Sequence, residues 1–210
     1  AIDSVLQADA MPVDEAAKFG ALVIQDQGGR MKPANTFASE LVRKVSKSDH
    51  YKSLNANQVL LSITQNPIIW YQVPFVYLKR GNDSIRSLVG VGKKAKYASF
   101  ANFFDAQGNY KLAPYLEAAY KSATPNQFQK HFIETDRKVN LLFSALDGKV
   151  LRIFPVPNDE NNRWVSAAEV DEINFVGVDS LYVNNVLPLY LTSLRQGNTT
   201  SDYTQADQLL

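Results

Sequence analysis

The stretch Glu15–Lys47, which reads EAAKFGALVIQDQGGRMKPANTFASELVRKVSK, carries the densest set of fold signals in this chain. Residues 19–24 form an apolar run that predicts a strand, and the glycines at 28 and 29 supply the freedom that a tight reversal needs. Residues 30–32 then return as the second strand. The stretch therefore predicts a β-hairpin that leads directly into a helix.

Polar side chains gather at the corner between this hairpin and the helix predicted over residues 37–45. Pro33 suits the first helical position, and Asn35 or Thr36 suits the N-cap. We interpret the corner as a structural hydrogen-bond knot, with recognition of a partner's backbone as the alternative. The corner comprises Gln25, Asp26, Arg30, Lys32, Asn35 and Thr36.

Capping signals mark two further helices. Asn55 and Gln58 match a capping box and predict a helix over residues 56–65, while Thr124 and Gln127 predict the start of a long helix that Gly148 ends. Apolar spacing adds helices at 113–122 and 181–194, a short helix after Ser99, and strands at 73–78, 85–91 and 150–154.

These elements together define the expected fold class. They predict an α+β protein, a helix-rich single unit with a few short antiparallel strands and hairpins. We expect one domain over residues 1–210, with a weak boundary near 155–162, where proline, asparagine and acidic residues accumulate.

Several segments in addition to Glu15–Lys47 carry a family resemblance. They are Leu54–Leu61 (LNANQVLL), Asn66-Pro67 with Trp70, Tyr97–Asp105 (YASFANFFD), Asp136–Asn140 (DRKVN) and Leu151–Pro155 (LRIFP). In this order they resemble the extracytoplasmic domain of membrane-embedded cytochrome c biogenesis proteins of the fused CcsA/ResB type. These are the System II cytochrome c synthases, which export haem and attach it to apocytochrome.

The resemblance implies a place and a role for the chain. It implies a position on the periplasmic side of the inner membrane, tethered by transmembrane segments outside this sequence. The partners it implies are the transmembrane part of the same protein and apocytochrome c. The role would be architecture or apocytochrome docking without catalysis by this chain, although the parent assembly would be a haem lyase.

The resemblance also leaves an alternative open. The Trp-rich haem-handling loop and the haem-ligating transmembrane histidines of that family are missing from this sequence, so haem would be handled by the parent membrane protein and this chain would hold no cofactor. The alternative is a stand-alone cell-envelope domain that binds or senses a peptide or glycan. A hydrolase is the weakest of the three readings.

Composition excludes several kinds of chemistry. The chain has 210 residues, of which 45% are hydrophobic and 20% charged, and this suits an ordinary globular domain. It contains no cysteine, which removes disulfides, thiolate metal sites and cysteine nucleophiles. Neither a signal peptide nor a transmembrane span is recognisable, and we expect a soluble piece excised from a longer, membrane-anchored protein.

The titratable side chains give no catalytic or metal-binding signature. Only His50 and His131 are present, which are too few for a zinc site. We expect His131 to be a solvated surface residue of the long helix, and it is the one weak candidate for a haem ligand. The paired acids are expected to be solvated, because adjacent residues on a helix point apart.

Two further surfaces are candidates for contact with partners. Segment 79–96 holds six basic residues and one acid, whereas segment 159–179 holds six acids and one arginine. We interpret the basic segment as a solvated hairpin, with contact to an anionic membrane surface as the alternative; its small size argues against nucleic acid. Trp70 and Tyr71 would form a docking patch if both were exposed.

Overall fold

The structure is a computed structural model that describes residues 2–210. Within that range the chain forms ten α-helices and is 56% helical. The helices are α1 (Ile2–Ala8), α2 (Val13–Gly20), α3 (Ala34–Ser46), α4 (Ala56–Gln65), α5 (Pro67–Trp70), α6 (Asp83–Val89), α7 (Ala113–Lys121), α8 (Gln127–Leu146), α9 (Gly177–Thr200) and α10 (Thr204–Leu209).

Eight short strands pair in sequence order into four two-stranded antiparallel sheets across the described residues. They are β1 (Val23–Gln25) with β2 (Met31–Pro33), β3 (His50–Tyr51) with β4 (Leu54–Asn55), β5 (Pro74–Tyr77) with β6 (Tyr97–Ser99), and β7 (Arg152–Pro155) with β8 (Trp164–Ser166). Two 3-10 turns, Phe100–Phe103 and Ala167–Glu172, follow β6 and β8. The predicted fold class, helix-rich α+β with a few short antiparallel strand pairs, is confirmed.

The main core is built by helices rather than by sheets. Helices α2, α3, α4 and α8 pack on one another and on β5, and they bury large side chains completely. A two-stranded sheet buries little surface by itself, so the hairpins depend on this helical core. The largest of the fully buried side chains include Trp70, Phe19, Phe75, Phe103 and Phe132.

A second, smaller core lies beside the main one, and Ile153 and Leu209 pack against both. It joins Phe154 and Val165 of the β7–β8 hairpin to Val183 and Val186 of α9. Strand β1 contacts both β7 and β8, so the two hairpins link this cluster to the rest of the molecule. The division of the chain into domains stays a prediction.

Capping signals in the sequence predicted the start of α4 correctly and the start of α8 only approximately. The helix predicted at 56–65 is confirmed as α4, with the capping box formed by Asn55 and Gln58. The long helix also forms, but its cap is Asn126 paired with Gln129 rather than Thr124 paired with Gln127. Helix α8 therefore begins two residues later than the sequence predicted.

Two of the predicted strands were wrong. Residues 19 and 20 belong to α2, where Phe19 is fully buried, and the strand begins only at Val23. Residues 85–91 are mostly α6 instead of a strand: Ile85 and Val89 lie one helical turn apart and are both buried. The apolar residues at 85, 88, 89 and 91 fit a strand and a helix about equally, and the tertiary contacts decide.

The corner after the first hairpin also differs from the prediction. Pro33 is still paired in β2, opposite Val23, and it serves as the N-cap of α3. The Ala34 N–H donates to the Leu22 carbonyl at 2.8 Å, which fixes the helix start at residue 34. Asn35 and Thr36 therefore lie inside the first turn of α3 and cap nothing.

Helix α9 continues through Pro188 over 24 residues. A proline removes one helical hydrogen bond, which leaves the carbonyl of Asn184 without its usual donor. Asn184 and Pro188 both lie on the exposed side of α9, where water can hydrate that carbonyl. Pro188 therefore does not end the helix, which extends beyond the predicted residues 181–194 in both directions.

No helix within residues 2–210 combines the length and the apolar character needed to cross a lipid bilayer.

We predict that Gly197→Ala destabilises the fold. A Cβ atom at this buried position of α9 would lie 2.4 Å from the Tyr203 ring and 3.0 Å from the Asp202 carbonyl oxygen, so the turn into α10 would have to move. We expect a loss of about 1–2 kcal/mol in the free energy of unfolding, measured by urea denaturation. Gln196→Ala, one residue earlier on an exposed position, is the control and should change it by less than about 0.5 kcal/mol. Equal stability of the two variants would contradict this packing.

Candidate functional site

Gln25 forms a buried hydrogen-bonded link at the polar corner. Its side chain is buried: Nε2 donates to the carbonyl oxygens of Gly29 at 3.2 Å and Asn162 at 3.0 Å, while Oε1 accepts from the Trp164 N–H at 2.7 Å. One amide thus closes the β1–β2 turn and bonds it to the β7–β8 hairpin. A buried side chain with both its oxygen and its nitrogen engaged fixes the relative position of two hairpins.

Asp26 shapes the turn itself. Its Oδ1 accepts from the N–H groups of Gly28 at 2.8 Å and Arg30 at 3.0 Å, and these bonds hold the pKa of the carboxyl below its usual value. Gly29 has φ of +79°, a conformation that glycine adopts without strain. The turn therefore depends on short-range bonds, as the sequence suggested.

The remaining members of the corner do not join the knot. Arg30 is exposed, and within residues 2–210 its side chain makes no hydrogen bond or ion pair. Lys32 lies 3.7 Å from Glu40 and 4.0 Å from Asp26. The Thr36 hydroxyl donates to Asn35 at 3.3 Å on the exposed face of α3. The six residues are thus split between a buried link and an exposed helix start.

Trp70 and Tyr71 do not meet the condition for a docking patch, which was that both be exposed. Trp70 is fully buried, its Nε1–H donates to the Ser62 hydroxyl at 2.9 Å, and its ring packs edge-on against Phe75. A residue in that position cannot contact a partner. Tyr71 is half-buried and turns its ring to a different surface, where it lines an aromatic groove.

The aromatic groove is a concave surface lined mostly by apolar side chains. It has a volume of about 650 Å³ and lies between the turn after β6 and the C-terminal half of α8. Its lining is mostly apolar, and the polar residues Asp105 and Asn140 also contribute to it. The aromatic rings that line it are Tyr71, Phe100, Phe104, Tyr110 and Phe143.

The rings of the groove support one another. Phe100 stacks on Phe143 with centroids 5.7 Å apart and meets Tyr71 edge-on at 5.1 Å, while Phe104 lies 5.0 Å from Phe100 and 5.4 Å from Tyr110. Such offset and edge-on pairs add about 0.5–1.5 kcal/mol each beyond area burial. Phe143 remains 44% exposed, so an apolar guest could cover it.

A buried carboxylate on α8 binds Tyr110, one of the rings that line the groove. Asp136 of α8 is buried, and its two oxygens accept from the hydroxyls of Tyr110 at 2.9 Å and Tyr120 at 2.7 Å. Burial, with the Asp136 charge, raises the pKa of Tyr110 far above its usual value. This clamp was missed in the sequence, because the three residues lie 16 and 26 positions apart and carry no motif.

The histidines lie in separate places. His131 is partly buried on α8, within 2.6 Å of the Gln127 side chain, and burial together with Lys79 lowers its pKa. His50 is exposed on β3, where it contacts the neighbouring Asp49. The structure gathers no group of three or more metal-ligating side chains anywhere in residues 2–210.

The two charged segments each contain one buried charged residue. In the basic segment, α6 replaces the expected hairpin, and Arg86 is buried with its guanidinium donating to the carbonyls of Ala95 and Leu78, both at 2.8 Å. In the acidic segment, Glu169 is buried, accepts from Ser166 and lies 3.4 Å from Arg152. The other five basic residues of segment 79–96 are exposed.

Comparison with known proteins finds one informative relative and no matching family model. The chain is similar to Protein NrfI of Wolinella succinogenes, with 30% identity over 154 residues that cover 72% of this chain. The match spans 17% of that protein's length. The similarity supports the cytochrome c biogenesis family that the sequence resembles.

We predict that Gln25, and not Arg30, carries the stability of the corner. Gln25→Ala removes three hydrogen bonds and leaves the partly buried Trp164 N–H without its acceptor, which should cost about 1–3 kcal/mol in the free energy of unfolding. Arg30→Ala is the matched control on the same hairpin and should cost less than about 0.5 kcal/mol. Urea denaturation measures both. A larger loss for Arg30→Ala would show that the knot is centred elsewhere.

Proposed function

We propose that this chain is an extracytoplasmic, non-catalytic domain of a membrane-bound System II cytochrome c biogenesis protein, and that it docks apocytochrome c. The observation that carries the proposal is the similarity to one segment of Protein NrfI. A match that covers most of this chain and a small part of the relative fits a module within a longer protein.

The tether and the location follow from the same proposal. The chain would lie on the periplasmic side of the inner membrane, attached through transmembrane segments of the parent protein. Those segments would handle haem as cargo, export it and present it to the apocytochrome. The parent would form the thioether bonds, and this chain would contribute position and affinity.

The aromatic groove is the surface we assign to docking. An unfolded apocytochrome offers an extended chain with exposed apolar side chains, and such a chain binds best where aromatic anchors form a preorganised pocket. The clamp of Asp136 on Tyr110 and Tyr120 supplies the preorganisation, since it fixes one wall to α8. Phe143, stacked on Phe100 and half exposed, is the anchor.

The main alternative is a stand-alone cell-envelope domain that binds a peptide or glycan. The groove by itself would also suit a stand-alone peptide-binding domain, because ligand pockets in general are lined by apolar and aromatic side chains. The similarity to a segment of a much longer protein favours the first proposal. The two differ in ligand: the first requires binding of apocytochrome sequences around the haem-attachment motif.

We predict that the chain binds a synthetic apocytochrome peptide that contains Cys-Xaa-Xaa-Cys-His with its flanking apolar residues. Phe143→Ala should weaken binding about tenfold, because it removes the exposed ring that we assign as the anchor of the groove. Isothermal titration calorimetry gives the dissociation constants, and thermal unfolding checks that the variant stays folded.

Phe128→Ala is the matched control for this experiment. Phe128 lies on the same helix and has the same exposure of 44%, but it packs against Tyr115 and Phe132 outside the groove. Its substitution should leave the peptide affinity unchanged. Absence of saturable binding, or equal weakening by the two substitutions, would argue against docking in the groove.

A further inference from the structure

A basic cleft lies between the C-terminal end of α3 and the middle of α8, away from the aromatic groove. It has a volume of about 530 Å³. Its charged residues come from the end of α3 and from α8. No single segment of the sequence therefore predicts the cleft. The charged residues are Lys44, Lys47, Lys130, Arg137 and Lys138, together with one acid, Glu134.

Lys138 forms the buried base of the cleft. Its side chain is 5% exposed, and Nζ donates to the Tyr77 carbonyl at 3.0 Å and lies 3.2 Å from the Glu134 carboxylate. It also lies 5.3 Å from the centroid of the Tyr77 ring. Burial lowers the pKa of Lys138, and the positive charges of Lys47 and Lys79 lower it further.

Positive charge in the cleft exceeds the negative charge that the protein supplies. Within residues 2–210, ion pairs shorter than 4.0 Å engage Lys44, with Glu40, and Lys138, with Glu134. Lys47, Lys130 and Arg137 have no such partner in that part of the chain. Like charges gathered around a partly buried cation repel one another, and a bound anion removes that cost.

The kinds of cation that line the cleft favour an oxyanion with more than one negative charge. The guanidinium of Arg137 offers a planar fork for two oxygens, and the lysine ammonium groups act as point charges around it. Glu134 already neutralises the buried Lys138, so the three unpaired cations are left for the ligand.

We propose that this cleft binds a phosphate group, carried either by inorganic phosphate or by the headgroup of an anionic phospholipid. The proposal is independent of apocytochrome docking, because it uses the opposite part of α8 and none of the groove residues. It also moves the anionic contact from the basic segment 79–96, where the sequence suggested it, to the α3–α8 cleft.

The test measures binding of two probes to the chain. Inorganic phosphate is titrated and followed by ³¹P NMR line broadening, and vesicles of phosphatidylcholine with and without phosphatidylglycerol are co-sedimented at 0.1 M NaCl. The double variant Lys47→Gln/Arg137→Gln should weaken binding about tenfold or more for whichever of the two probes binds the unsubstituted chain. Both residues are exposed, and circular dichroism confirms that the variant is folded.

The charge-matched control is Lys93→Gln/Lys94→Gln, which removes two exposed cations from the basic segment 79–96. It should leave binding unchanged. Binding of phosphate assigns the cleft to a small anion, and binding only of phosphatidylglycerol vesicles assigns it to lipid. The proposal is overturned if neither probe binds, or if the two double variants weaken binding equally, since that result would reflect net charge alone.

Discussion

The constraint on which this structure depends is that, within residues 2–210, no sheet has more than two strands. Such hairpins cannot build a core, so helices must supply it, and α8 is one of the four helices that do so. One face of α8 buries Phe132, Val139 and Leu142. Its remaining surface forms a wall of the aromatic groove on one side and of the basic cleft on the other.

This arrangement ties the binding surfaces to the stability of the core. Val139 packs in the core and also lines the groove, while Lys138, the next residue back, forms the base of the cleft. The clamp at Asp136 lies two residues further towards the N-terminus of α8. Surfaces carried on a packed helix keep their geometry better than surfaces carried on loops, which suits a module whose role is to position a partner.

Local signals in the sequence predicted the parts of the fold that depend on neighbouring residues. The capping box of Asn55 and Gln58 acts over four residues, and it located α4 correctly. The Asp26 turn is equally local. In contrast, residues 85–91 fit a strand or a helix by pattern, and contacts of Arg86 with Leu78 and Ala95 accompany the helix.

The candidate surfaces could not be read from the sequence, because long-range packing creates them. The groove joins residues from positions 71 to 143, and the cleft joins α3 to α8. Trp70 was a docking candidate in the sequence because its burial and its hydrogen bond to Ser62 are products of the fold and cannot be predicted from the sequence. The family resemblance gave the direction of the functional proposal, and the geometry gave the residues on which to test it.

The most direct test of the central claim is site-specific photo-crosslinking in the full-length parent protein in living cells. A photoreactive phenylalanine analogue is placed at Phe143 in one strain and at Phe128, equally exposed on the same helix, in another. We predict that position 143 captures apocytochrome c and that position 128 does not. Capture from position 128 alone, or from neither position, would contradict the assignment of the groove as the docking surface.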